Sequence, residues 1–143
     1  MSTLRFENID KERLTPLMRQ YVEEKESRPD CLIFMRLGDF YEVFFDDAVL
    51  TARELELKLT GRDCGLEERA PMCGVPHHAV DKYLNRLLER GYKIAICEQV
   101  EDPAEAKGLV AREVVRVLTP GTQLDPDTLD ANKYSIICAV LEE

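Results

Sequence analysis

Residues 31–45 have the sequence CLIFMRLGDFYEVFF, and this stretch determines the fold prediction. The run 31–37 is short, apolar and bounded by turn-forming residues, which is typical of a buried β-strand. Gly38 and Asp39 form a dipeptide that is common in tight turns. Residues 40–45 then return to aromatic and β-branched side chains with high strand propensity. The stretch therefore predicts a β-hairpin.

Helices and further strands are predicted on both sides of this hairpin. Thr15-Pro16 is a helix start, with a hydroxyl at the N-cap and proline at the first helical position. Asp46-Asp47 is expected to cap a second helix, at its positive end. The elements predicted outside the hairpin are helices over 15–27, 46–58, 80–91 and 102–108, strands over 92–100 and 110–119, and a loop over 71–76. This mixture predicts an α/β or α+β domain, with a mixed β-sheet flanked by helices.

The composition of the 143-residue chain is that of an ordinary globular protein. Hydrophobic residues make up 45% and charged residues 33%, which argues against a disordered or collagen-like chain. No apolar run approaches the ~20 residues that span a bilayer, and residues 1–10 lack a signal-peptide core. The five cysteines form no C-x-x-C pair, which favours reduced, mostly buried thiols. We therefore expect a soluble, cytoplasmic protein with no membrane partner.

The net charge of −9 argues against a protein that binds nucleic acid through electrostatic attraction by itself. The distribution of this charge along the chain is uneven. Seven of the nine excess negative charges lie in residues 31–60 and 119–143, whereas residues 61–100 are neutral. The negative charge is therefore local, and it does not exclude DNA as a partner of the remaining surface.

The strongest candidate for a functional site is the second strand of the hairpin. Side chains alternate along a strand, so Phe40, Glu42 and Phe44 share one face, and Phe40 and Glu42 are about 7 Å apart. If the opposite face is the core, this face presents an aromatic ring and a carboxylate together. In the alternative interpretation, Phe40 and Phe44 cover a second apolar layer and Glu42 lies at its rim.

Two other groups of side chains contain possible metal ligands. The Cys/His group has unsuitable spacing for structural zinc, because its cysteines are nine residues apart and its histidines are adjacent; its members are Cys64, Cys73, His77 and His78. An acidic group has the chemistry to hold Mg²⁺ in a metal-dependent nuclease; its members are Asp39, Glu42, Asp46, Asp47 and Glu98. Helix capping explains the two adjacent aspartates without a metal. The sequence has neither a G-x-x-x-x-G-K-[ST] nucleotide loop nor a G-x-S-x-G nucleophile motif, and we predict no catalytic or metal-binding residues.

Five sequence blocks carry a family resemblance. They are TPLMRQY (15–21), RLGDFYE (36–42), PMCGVPHHA (71–79), AICEQ (95–99) and TPGT (119–122). In order and spacing they resemble the N-terminal mismatch-recognition domain of the MutS DNA mismatch repair proteins, over about residues 11–122. The resemblance implies that family's fold, a mixed sheet flanked by helices, and the binding of mismatched double-stranded DNA.

The resemblance also implies roles for individual residues. It implies that Phe40 is a wedge that stacks on a mispaired or unpaired base from the minor groove, and that Glu42 forms a hydrogen bond with the same base. Inserting an aromatic ring unstacks and kinks the duplex, and a mispaired step is already easier to deform. A carboxylate beside phosphates is unfavourable unless it finds a donor, so Glu42 adds selectivity.

Further DNA-binding residues follow from the same resemblance. The 71–78 segment resembles the family's second DNA-facing element, which makes Met72 and His78 expected backbone or groove contacts. Leu37, just before the hairpin turn, and Arg112 are weaker candidates for DNA binding.

The resemblance divides the chain into a mismatch-recognition domain over 1–121, followed by a linker and the first strand of a truncated connector domain over 122–143. A strand is predicted at 134–141. ATP and Mg²⁺ are expected in the part of the full-length ATPase that this chain lacks, and no cofactor is expected here. The full-length protein is expected to be a homodimer that recruits a MutL-type partner. The alternatives are a Mg²⁺-dependent nuclease domain and a protein-interaction domain whose hairpin packs against another subunit.

Overall fold

The computed structural model describes residues 4–102, 104–105 and 107–120, and within these ranges six strands form one sheet. The strands are β1 (Cys31–Leu37), β2 (Phe40–Phe44), β3 (Thr60–Arg62), β4 (Ala70–Pro76), β5 (Lys93–Gln99) and β6 (Arg112–Leu118). The α-helices are α1 (Pro16–Ser27), α2 (Phe45–Leu55) and α3 (Val80–Glu89), and short 3₁₀ helices cover Phe6–Asn8, Lys11–Arg13 and His77–Ala79. The predicted mixed sheet flanked by helices is confirmed.

The predicted hairpin lies in the middle of this sheet, whose strand order is β3-β4-β2-β1-β5-β6. β1 and β2 pair antiparallel, with Leu37 opposite Phe40 and Met35 opposite Glu42. Gly38 has a φ of 59°, a left-handed conformation that glycine adopts without steric cost, and this makes the tight turn possible. β1 pairs with β5 in parallel, and the other strand pairs are antiparallel.

The loop predicted over 71–76 is wrong, because this segment is strand β4. It pairs with all of β2, from Phe40 opposite Pro76 to Phe44 opposite Met72, and with β3 on its other side. Pro71 and Pro76 lie near the two ends of the strand. There, a missing backbone N–H disturbs the ladder least.

Helices cover both faces of the sheet. α2 and α3 pack on the face that carries Tyr41 and Val43, which we call the α2/α3 face. α1 packs on the opposite face, the α1 face, where its buried residues Met18 and Tyr21 meet Phe44. The result is three layers with one apolar cluster on each side of the sheet. None of the helices in the described ranges has both the length and the apolar character needed to cross a lipid bilayer.

The α1 helix covers only part of the α1 face. The Tyr21 ring meets the Phe44 ring edge-on at a centroid distance of 5.0 Å, and its hydroxyl donates a hydrogen bond to the Ile33 carbonyl at 2.8 Å. Burial therefore falls along β2 away from this contact: Phe44 is 0% exposed, Glu42 is half-buried, and Phe40 is 44% exposed. The second apolar layer considered from the sequence is thus correct for Phe44 and wrong for Phe40.

The start of α2 differs from the prediction that Asp46 and Asp47 cap it. Phe44 occupies the N-cap position, and the chain enters the helix through Phe45 at a φ of 58°. This conformation is strained for a residue with a side chain, and complete burial of the Phe45 ring offsets the strain. Asp47 points inward, accepting a hydrogen bond from the Ile33 N–H at 3.3 Å and pairing with Lys25 at 3.0 Å.

Two further predictions concern the end of the chain. The helix over 102–108 is wrong for the residues the structure describes there, which form turns and bends; the segment has only seven residues and ends in glycine, too short to stabilise a nucleated turn. The linker and strand predicted over 122–143 lie outside the described residues.

The structure describes four of the five cysteines, and all four are buried free thiols, as expected; they are Cys31, Cys64, Cys73 and Cys97.

The contrast between Phe40 and Phe44 gives a matched test of the fold. We expect Phe44→Ala to destabilise the domain by about 3–5 kcal/mol, since it empties a fully buried site. Phe40→Ala should change stability by less than about 1 kcal/mol, because its ring is half in solvent. Urea unfolding followed by circular dichroism measures both values. Equal losses would show that Phe40 belongs to the core.

Candidate nucleic-acid interface

The uncovered part of the α1 face carries four of the six residues expected to bind DNA. Cross-strand partners share a face, so Leu37, Phe40 and Glu42 lie on the same side of the hairpin. Met72 pairs with Phe44 and lies on this side as well. Leu37 and Met72 are partly buried against the α1 cluster, whereas Phe40 projects from it. The structure thus assembles an apolar surface that ends in an exposed aromatic ring.

The backbone next to Phe40 is held from strand β4. The carbonyl oxygen of Asp39 accepts a hydrogen bond from the His77 backbone N–H at 2.8 Å, and His77 Nδ1 lies 2.9 Å from the same oxygen. On the other side of the turn, the Arg36 guanidinium donates to the Gly38 carbonyl. The exposed Phe40 ring is therefore next to a turn in which the carbonyls of both Gly38 and Asp39 accept hydrogen bonds.

Glu42 is half-buried between β1 and β4, opposite Met35 and Gly74. Burial raises the pKa of its carboxyl above the ordinary value, and the positive charge of Arg62 on β3 partly opposes this by lowering that pKa. No group within the described ranges forms a hydrogen bond with this carboxyl. A carboxyl that is partly desolvated and has no internal partner gains strongly from an external hydrogen bond.

The other two predicted residues lie in different surroundings. His78 is exposed in the 3₁₀ helix that follows β4, next to the residue that binds the hairpin turn. Arg112 is half-buried at the start of β6, where its guanidinium donates to the Arg36 carbonyl at 2.8 Å, to Gln20 Oε1 at 3.1 Å and to the Val110 carbonyl at 3.1 Å. Burial lowers the pKa of Arg112 from its ordinary value. Arg112 therefore ties β6 to β1 and α1.

Three residues outside the six predicted DNA-binding residues take part in the site. Arg62 supplies the positive charge that acts on Glu42, His77 holds the turn, and Gly74 lies directly opposite Glu42. The sequence offers no local signal for the first two, because their roles depend on strand pairing between distant segments. For Gly74, a glycine within an otherwise apolar segment is a known sign of close approach, and the loop prediction concealed it.

The acidic side chains considered for a nuclease site do not converge. Asp47 is paired with Lys25 beneath α2. Glu98 accepts a hydrogen bond from the Tyr41 hydroxyl and lies 3.6 Å from Arg36, and Tyr41 belongs to the α2/α3 face rather than to the face of Glu42. Across the part of the chain that the structure describes, no three His, Cys, Asp or Glu side chains are grouped in a way that would hold a metal ion.

The chain matches one known family of protein domains. The family model for MutS domain I matches residues 15–127, which include the hairpin, β4 and all six predicted DNA-binding residues. The chain belongs to the MutS domain I family. The resemblance of the five sequence blocks is therefore confirmed at the level of the family.

Curated relatives of this MutS domain are highly similar. The chain is 63% identical over 127 residues to the DNA mismatch repair protein MutS of Ruminiclostridium cellulolyticum, covering 89% of this chain and 14% of that protein. It is 60% identical over 127 residues to the protein of the same name from Acetivibrio thermocellus, with 89% and 15% covered. For Clostridium botulinum strain Hall the identity is 61% over 124 residues, with 87% and 13% covered. The chain thus spans a small part of the length of these relatives.

The burial of Glu42 predicts a pH-dependent effect on stability. Its raised pKa means that the folded state binds the proton more tightly than the unfolded state, so ionisation at neutral pH destabilises the fold. We expect Glu42→Gln to raise the urea midpoint at pH 7. This advantage should shrink as the pH falls through the folded pKa and vanish below the unfolded value of about 4.3.

Glu105→Gln, at an exposed loop position, is the matched control. Its urea midpoint should follow the wild type at every pH. A Glu42→Gln variant with the same midpoint as the wild type at pH 7 would contradict the stated burial of the carboxyl.

Proposed function

We propose that this chain is the mismatch-recognition module of a MutS-type DNA mismatch repair protein. The observation that carries the proposal is the exposed Phe40 ring beside the half-buried Glu42, on the part of the α1 face that no described helix covers. An apolar side chain left 44% exposed at the end of a fixed hairpin has no role in the core. Contiguous exposed apolar surface on a folded domain marks a binding site, and the Phe40 ring continues the partly buried apolar surface of Leu37 and Met72.

Phe40 is proposed to act as a wedge in the minor groove. Inserting a ring between base steps unstacks them, costs a few kcal/mol and kinks the duplex. A mispaired or unpaired base is already poorly stacked, so the deformation costs less there than in perfect duplex. Because a phenyl ring stacks on any base, the wedge detects many kinds of mismatch. The turn held by His77 keeps the ring in place before DNA arrives, which lowers the entropic cost of binding.

Glu42 is proposed to form a hydrogen bond with the displaced base. In its ionised form the carboxyl is repelled by the phosphates of any duplex and accepts hydrogen bonds only, whereas the protonated form can also donate. Burial favours the protonated form, since it raises the pKa of Glu42. The carboxyl thus penalises perfect duplex, which offers it no partner, and stabilises a site where a base edge is accessible. Leu37, Met72 and His78 would contact the adjacent groove or backbone, with Arg112 as a weaker candidate.

The rest of the family's activity is proposed to reside in other parts of a longer protein. The chain corresponds to 14% of the length of a relative that is named a DNA mismatch repair protein. Nucleotide binding with ATP and Mg²⁺, homodimer formation and the recruitment of a MutL-type partner are accordingly assigned outside this domain. The phosphate contacts that dominate affinity for DNA are assigned there too, because the chain itself carries a net charge of −9.

The proposal predicts weak binding with a specific local contact. At about 50 mM salt, the 143-residue chain should bind a 15-base-pair duplex more weakly than ~10⁻⁶ M, whether or not the duplex contains a G·T mismatch. The ring signals of Phe40 in nuclear magnetic resonance spectra should nevertheless shift with the mismatched duplex and not with the matched one. The buried Phe44 ring is an internal control in the same spectrum.

Tight, mismatch-selective binding at physiological salt would contradict the assignment of phosphate contacts to other domains. A Phe40 ring that responds equally to both duplexes would contradict the wedge.

The nuclease alternative makes a separate prediction. End-labelled mismatched duplex incubated with the chain and Mg²⁺ should remain intact over hours, as it does without protein. Cleavage that disappears in Glu42→Ala would overturn the binding function in favour of the nuclease. Cleavage that persists in Glu42→Ala would indicate a contaminating enzyme. In that case the same cleavage should also appear with separately purified Phe40→Ala protein, and its rate should vary between preparations.

A further inference from the structure

The carboxyl of Glu42 lies against the backbone of Gly74, in the space where a side chain at position 74 would be. The two residues are direct cross-strand partners in the β2–β4 pair. A Cβ atom placed on Gly74 would overlap Glu42 Oε2 and lie 2.7 Å from Cδ and 3.1 Å from Oε1. Carbon atoms in contact are normally about 3.5–4.0 Å apart. The Glu42 side chain therefore occupies the space that the side chain of any other residue at position 74 would fill.

The backbone conformation does not account for this glycine. Gly74 is absent from the residues with positive φ in the described ranges, so alanine fits the same strand geometry. Glycine within a strand also weakens it, since it packs no side chain and loses more conformational freedom on folding. Gly61 on the neighbouring β3 differs, because an added Cβ would lie 3.3 Å from the Cβ of the exposed Arg69 and meets no part of Glu42.

The direction of the Glu42 side chain follows from its two neighbours. On the β1 side, the position opposite Glu42 is filled by the fully buried Met35. On the β4 side, Gly74 leaves a gap across which the carboxyl lies. This placement accounts for the half-burial of Glu42, since a side chain that stands upright on the sheet would be more solvated. The carboxyl is thereby kept on the surface that also presents Phe40.

We propose that Gly74 is a positioning residue for mismatch discrimination: because it has no side chain, it leaves open the space in which the Glu42 carboxyl lies across β4, where it meets the displaced base. The proposal rests on the function proposed above for Phe40 and Glu42. Gly74 contributes no side chain to the DNA contact. Its effect is to give the carboxyl room to lie over β4, since a larger side chain at position 74 would displace it from there.

A double-mutant cycle on the 143-residue chain tests the steric relation without DNA. The effect of Gly74→Ala on the urea midpoint should differ between the wild-type and Glu42→Ala backgrounds, because only in the wild type must the added Cβ displace the carboxyl. In the Glu42→Ala background the same change should leave the midpoint unchanged or raise it, because the clashing atoms are gone and alanine suits a strand better than glycine. Gly61→Ala is the control, and its effect should be the same in both backgrounds. Additive effects of Gly74→Ala and Glu42→Ala would overturn the proposal.

The pKa of Glu42 gives a second readout that a loss of stability by itself would not change. With ¹³C-labelled glutamate, the titration of the Glu42 carboxyl should move towards its ordinary pKa in Gly74→Ala, because the displaced side chain becomes more solvated. Gly61→Ala should leave it unchanged. If Gly74→Ala does not fold, folding of the double variant Gly74→Ala/Glu42→Ala supports the steric relation, and failure of both overturns it.

Addition of DNA separates this proposal from the function on which it depends. In the wild type, the Glu42 carboxyl signal should shift with a G·T duplex and not with a matched one; in Gly74→Ala that difference should be lost, and in Gly61→Ala it should remain. A difference retained in Gly74→Ala would overturn the positioning role alone. No difference in the wild type would overturn the proposed function of Glu42, and the positioning role with it.

Discussion

The contact between Tyr21 and Phe44 determines where the α1 face is covered and where it is open. The Tyr21 ring packs edge-on against Phe44, and its hydroxyl binds the carbonyl of Ile33 on the adjacent strand. A fully buried hydroxyl without a partner is costly, so this hydrogen bond fixes the register of α1 on the sheet as well as its depth. On this face, exposure then increases along β2 from Phe44 through Glu42 to Phe40. One face of the strand is thus core at one end and open to a partner at the other.

The open part of the face is supported by distant segments of the chain. β4 backs β2 along its full length, and His77 beyond its end holds the hairpin turn. Towards the other end of the same face, the partly buried Lys25–Asp47 pair links α1 to α2, and Lys25 also donates to the Cys31 carbonyl at 2.8 Å. Breaking this pair would leave the buried Asp47 carboxylate without its counter-charge, so the pair favours one arrangement of α1 on the sheet. The proposed wedge needs such support, since an unsupported ring would fold onto the protein surface instead of entering the duplex.

The features that the sequence predicted correctly are those set by local periodicity. The 31–37 run, the Gly38-Asp39 turn and the helix spacing from Val80 onwards act within a few residues, and the structure confirms them. The features that it missed depend on pairing across the sheet. Pro71, Pro76 and Gly74 in one short segment favour a loop, and only the pairing of β4 with both neighbours makes it a strand. The exposure of Phe40 also required the position of α1, because alternation along β2 assigns Phe40 and Phe44 to the same face without distinguishing them.

The net charge of the chain fits a module that distinguishes mismatched from matched DNA rather than one that binds DNA with high affinity. Phosphate contacts stabilise every duplex equally, so a reading surface rich in Lys and Arg would bind the vast excess of matched DNA as readily as a mismatch. Under the proposed function, a surface made of Phe40, Glu42 and Met72 gains little from phosphates and instead responds to how easily a base step opens. Arg62 moderates the cost of burying the ionised Glu42 carboxylate. Under the proposed function, affinity for DNA and discrimination between mismatched and matched DNA are therefore separate properties. The charge of this chain fits a domain that provides the discrimination.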